Sequence, residues 1–85
     1  MVDMIVELEN NNSYVILDEV MLADVKYYYG LRLTKNEEPT NNYLFFEESK
    51  EGVDVYLTPV VDDSVKNLLL TAFTTNFLDK VYDQV

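Results

Sequence analysis

An α+β domain, an antiparallel meander of about five strands with one C-terminal helix packed on the sheet, is what the patterning of this 85-residue chain predicts. Three observations predict it. Apolar and polar residues alternate through residues 2–9, 26–34 and 53–59, the period of a half-buried strand. Short clusters of Asn, Pro, Gly and Asp separate these runs at the spacing of hairpin turns. From residue 62 onward the apolar period lengthens to that of a helix.

Taken in order, residues 2–9 place Val2, Met4, Val6 and Leu8 on one side of a strand and Asp3, Glu7 and Glu9 on the other, with Ile5 as the one apolar residue on the polar side. Asn10-Asn11-Asn12-Ser13 is a turn, because Asn tolerates left-handed backbone and hydrogen-bonds its own backbone. Residues 14–22 open with Tyr14-Val15-Ile16-Leu17, apolar on both sides, as a central strand covered on each face requires. Asp18-Glu19 then interrupts the run, which marks a bulge or the point where the strand emerges. Ala23-Asp24-Val25 turns the chain into residues 26–34, the partner strand of the hairpin on which the other segments pack. There Tyr27, Tyr29, Leu31 and Leu33 share a face opposite Tyr28, Gly30 and Arg32, and Gly30 leaves room for a close neighbour. Residues 35–42, with Pro39, form a loop. Residues 43–48 and 53–59 are the last strands, joined by a turn over residues 49–52 and closed by Pro59. A helix over residues 63–83 follows, with Asp62, Asp63 and Ser64 all competent to cap it. Its first turns bury Val65, Leu68, Leu69, Ala72 and Phe73, whereas Phe77, Leu78, Val81, Tyr82 and Val85 fall well round the helix from that set. The weak helix formers Thr74-Thr75-Asn76 lie at the changeover, so either the helix kinks there or its last turns bury against something other than the sheet.

Eighty-five residues make one domain, and a composition 48% apolar and 13% aromatic is that of a folded one. Sixteen acidic residues against six basic ones give a net charge of −10. That balance repels phosphate backbones and anionic lipid, so direct binding of nucleic acid or a membrane surface is not expected, and a protein with a basic surface is the partner it suits. With no Cys, an oxidising compartment is not implied. The acidic first residues do not resemble a signal peptide, and no apolar run approaches the roughly 20 residues of a membrane span. A cytoplasmic setting is the expectation, in a bacterial cell or in the host of a phage.

The hairpin YVILDEVMLADVKYYYGLRL and the segment LTPVVDDSVKNLLLTAF together resemble the small acidic YrzB-like proteins, a domain-of-unknown-function family of low-GC Gram-positive bacteria. Leu17, Asp18, Lys26, Tyr27, Leu57, Pro59 and Asp63 carry the resemblance, which spans residues 14–73. Val25 stands where that family's turn usually has Gly, and both residues 35–42 and the helix are less acidic than is usual there. The resemblance is thus to a divergent or phage-borne member. It implies a fold and an acidic character and brings no activity.

The chemistry the chain can do is limited by having neither His nor Cys. That removes the commonest general base, soft metal ligands and nucleophile pairings, and no catalytic motif is present. The carboxylate pairs Asp18-Glu19, Glu37-Glu38, Glu47-Glu48 and Asp62-Asp63 are sequence neighbours, which on a strand point to opposite faces. No segment fits a calcium-binding loop. No enzyme activity, cofactor or metal is therefore expected. The aromatic residues Tyr27, Tyr28, Tyr29, Tyr43, Phe45 and Phe46 lack the basic groove that accompanies base stacking and read as core. What remains is a protein-interaction module, with Glu37, Glu38, Glu47 and Glu48 as the candidate acidic contacts and Phe77 and Tyr82 as the apolar ones. Two alternatives stand beside it. One is a phage-type inhibitor of the anti-restriction or anti-CRISPR class. Its carboxylates Glu7, Glu9, Glu37, Glu38, Glu47, Glu48, Glu51 and Asp54 would imitate a nucleic-acid backbone in a basic enzyme groove. The other is a structural subunit, a homodimer joined through the apolar last turns of the helix.

Overall fold

A computed structural model describes residues 2–8 and 11–83 of the chain, with side chains as far as Asp79. Five strands, β1 (Ile5–Glu7), β2 (Ser13–Leu22), β3 (Val25–Leu33), β4 (Pro39–Glu51) and β5 (Asp54–Pro59), form one antiparallel sheet in the order β1-β2-β3-β4-β5, and α1 (Asp63–Asp83) follows. The expected α+β meander with a C-terminal helix is the fold. The sheet curls, so that Val6 and Leu8 at the β1 end and Leu57 on β5 pack on one inner cluster.

Local chemistry sets the boundaries. The first strand is shorter than the alternation suggests, because Asp3 takes a left-handed φ of 69° and breaks the regular extension ahead of Ile5. The β2–β3 hairpin turns on Ala23 and Asp24 alone, with φ of 49° and 64°, the pair of positive values that a two-residue turn matched to strand twist requires. Val25 is already paired with Leu22. The proline-containing loop is also shorter than expected. Pro39 opens β4 opposite Leu33, at a strand start where a missing donor costs no ladder bond, and the Thr40 hydroxyl donates to the Arg32 carbonyl at 2.8 Å.

One extra residue in β2 decides which side chains face where. Ile16 pairs with Gly30 and Asp18 with Tyr29, leaving Leu17 as a bulge. Before it, Tyr14 and Ile16 point to the concave face. After it the parity inverts, and Val20 and Leu22 join the opposite face. Both faces consequently carry a core. On the concave side Tyr14, Ile16, Tyr28 and Phe46 are buried together. On the other, Phe45 packs with Val60, Leu69 and Phe73 beneath α1, flanked by Val20, Leu22, Tyr27, Tyr29 and Val65.

The helix begins at Asp62, whose carboxylate accepts from the Ser64 and Val65 amides at 2.8 and 3.2 Å. It runs unbroken through Thr74-Thr75-Asn76. Thr71, Thr74 and Thr75 donate their hydroxyls to the carbonyls four residues back, which satisfies them within the helix. Asn76 Nδ2 reaches the Asp18 carboxylate and the Glu19 carbonyl, both at 3.3 Å at their shorter contacts. The axis therefore crosses the strands: Leu69 lies with Phe45 of β4, Phe73 stacks on Phe45 and tilts against Tyr29 of β3, and Asn76 ends at β2.

Candidate protein-docking site

Only half of the helix-side face is covered. Register places Ile5, Val15, Leu31 and Tyr43 directly opposite one another across β1, β2, β3 and β4, in one row on that face. The neighbouring row is Asp18, Tyr29 and Phe45, and α1 lies over it and over Val20 and Tyr27 in the row beyond. Phe45 is 5% exposed, whereas Ile5 and Tyr43 at the ends of the row are 48% and 49% exposed and Val15 and Leu31 between them are half-buried. The bulge turns Leu17, also exposed, onto the same side.

Helical spacing supplies the other wall. Leu70, Phe73, Thr74 and Phe77 line a cleft of about 530 Å³ against Leu17, Tyr29, Tyr43 and Phe45. Leu70 and Phe77 lie seven residues apart, about two turns, on the flank of α1 that overhangs the bare row. The charged group in this cleft is Asp18, which accepts from Asn76 and from the Glu19 amide. Apolar surface on sheet and helix is thus continuous, with a carboxylate at its edge. Exposed contiguous apolar patches of this kind mark interaction sites.

The carboxylates singled out by sequence are not gathered. Glu37 and Glu38 sit in the β3–β4 turn, Glu37 at a φ of 60°. Glu47 faces the helix side opposite Tyr27 and Thr58, and Glu48 the concave side opposite Leu57. Along the strand, Glu38 and Glu47 are about 30 Å apart. Phe77, 63% exposed, stands at the mouth of the cleft. Tyr82 lies outside the residues whose side chains are described, as does Glu9. Sequence reasoning missed Ile5, Val15, Leu17, Leu31, Tyr43 and Leu70 as one surface; the signal was Ile5, the apolar residue out of phase in the first strand.

On the concave side, the Tyr28 hydroxyl donates to Glu48 Oε1 at 3.3 Å. Burial, then the charge of Glu48 and this hydrogen bond, with Glu19 adding to them, push the phenol up to about 12. Because the folded value is raised, the contribution is intact below the unfolded value near 10 and is lost as pH rises from there through 12. We expect Tyr28 to titrate together with loss of the fold. Phenolate absorbance followed beside circular dichroism checks this, and Tyr28→Phe should move the alkaline midpoint to higher pH.

Among the described residues no group of three or more acidic side chains is placed to hold a metal ion, and no helix is long and apolar enough to cross a membrane. Comparison with protein-family models, curated proteins and solved structures returned no match.

Proposed function

We propose that this chain is a non-catalytic protein-interaction module that holds a basic partner protein on the bare half of its helix-side face. The row Ile5–Val15–Leu31–Tyr43, left uncovered beside Leu70 and Phe77, carries the reading. A small domain with one helix across a wider apolar sheet face has a surface to bury. The net charge of −10 defines the company it keeps: a basic surface is attracted from a distance, and another copy of this chain is repelled. The apolar row then supplies the desolvated contact that charge alone does not. The nucleic-acid mimic draws less support, since its carboxylates are divided between a turn and two faces.

The test compares variants of equal thermal stability in affinity capture from nuclease-treated lysate, eluted by a salt gradient. Tyr43→Ser and Phe77→Ala should reduce recovery of the captured protein at least tenfold, and charge reversal at Glu37 and Glu38 should leave it within about twofold. The reverse pattern, with binding lost on charge reversal and kept on apolar truncation, sinks the reading in favour of the mimic.

A further inference from the structure

The size and direction of the bare row narrow what fits it. Helices pack side by side with axes about 8–10 Å apart, which equals the rise of about three residues along a strand. α1 lies over the Tyr27 and Tyr29 positions of β3. An axis shifted by three residues falls on Leu31, the centre of the uncovered row. The row also runs in the direction of α1, across four strands rather than along one. Its length is about 14 Å, which about ten residues of helix cover. An extended strand has no place to add there, because the row is sheet face and not sheet edge.

Charge selects the rest. Glu7 shares this face with Ile5, one position beyond the row, and Asp18 edges it on the helix side. At the start of α1, Asp63 and Lys66 border the adjoining cavity beside Tyr43 and offset one another. A carboxylate thus stands on each long side, with Arg32 and Lys35 bordering the cavity at Glu7, in a chain of net charge −10.

We infer that the platform formed by Ile5, Val15, Leu31 and Tyr43, together with Leu17 and the overhanging Phe77, seats a second helix supplied by the partner. That helix is amphipathic, its apolar stripe set on the row and its flanks bearing Lys or Arg toward Glu7 and Asp18. It lies beside α1 and completes the helical layer that this chain only half builds. The inference rests on the interaction-module reading and adds the shape and chemistry of the partner segment.

The probe is a set of labelled peptides about 16 residues long, enough to span the row with a turn at each end. One has Leu at helical spacing among Lys residues, the second the same Leu positions among Glu, and the third the first composition with its Leu order scrambled. Fluorescence anisotropy should show the Leu–Lys helix bound at least tenfold more tightly than either control. Leu17→Ser and Tyr43→Ser should each weaken it about tenfold, whereas Val55→Ser, on the concave face, should leave it unchanged. Equal binding of the scrambled peptide overturns the inference, since charge alone then suffices. So does a wild-type protein that sediments as a dimer and is made monomeric by Leu17→Ser, because the occupant is then a second copy. If no peptide binds while Tyr43→Ser still abolishes capture of the lysate partner, the helix inference fails and the interaction reading stands; if that variant leaves capture intact as well, both fail.

Discussion

Truncating Phe46 to alanine will remove a third or more of the stability of this domain. Phe46 is fully buried on the concave face, where its ring meets Tyr14 edge-on at 5.4 Å and packs with Ile16 and Tyr28. Deleting a buried phenylalanine ring costs about 3–5 kcal/mol, the sum of lost transfer energy and the cavity left behind. A domain of this length has a total of roughly 4–13 kcal/mol to lose. The cavity cannot close easily, because its walls are the backbone of β3 and the β4 strand itself, fixed by ladder hydrogen bonds on both sides. Urea denaturation should show the midpoint falling by a third or more with an unchanged slope. A midpoint within a tenth of wild type would mean that the concave cluster is not a core.

Gly30→Val attacks the same place from the opposite direction. A Cβ at Gly30 would lie 2.7 Å from Phe46 Cε2 and 3.4 Å from both Phe46 Cδ2 and Tyr14 Cβ. Tyr14, packed edge-to-face with the ring at 5.4 Å, and the buried Ile16 and Tyr28 restrict how far it can yield. Valine adds two further methyl groups, so the strands must part or the ring leave its rotamer. Overpacking of this kind costs about 1–3 kcal/mol, with the upper end expected for a branched side chain against a ring. Because Gly30 pairs with both Ile16 and Leu44, the strain falls on the two central strand pairs. The expected readout is a thermal midpoint lowered by roughly 8–24 °C, taking about 2–3 kcal/mol at about 4–8 °C per kcal/mol for this size. If Gly30→Val is as stable as wild type, the close approach of Phe46 is not structural. The paired variant Gly30→Val with Phe46→Leu should recover part of the loss, which separates the contact from any intrinsic preference at the position.

The fold was legible where one period governed one element. Alternation identified the strands, and the change of period after Pro59 placed the helix on the residues it occupies, Asp63–Asp83. The errors came from single residues whose effect is not periodic. Asp3 shortens the first strand through a backbone angle, and Pro39 begins β4 where composition suggests a loop. The site was less legible for a related reason. Leu17 inverts the parity of β2, so no pattern along one strand shows that Val15 and Leu17 come to share a surface with Leu31 and Tyr43. That surface is a property of register across four strands, whereas sequence patterning reports one strand at a time. The carboxylates illustrate the converse: Glu47 and Glu48 are adjacent in the chain and, being adjacent, were bound to separate in space.

The meander order has a consequence for how the molecule comes into being. Every strand after the first pairs with the strand before it in the chain, so each ladder closes over a turn of a few residues and none waits for a distant segment. Local pairing of this kind places the chain among the faster folding sheet proteins. During synthesis β1 to β5 can zip in the order in which they emerge, and α1 comes last. Until it lands, Phe45 and Tyr29 are as bare as Leu31 and Tyr43, and the seat of the domain's own helix and the seat offered to a partner are neighbouring halves of one open sheet.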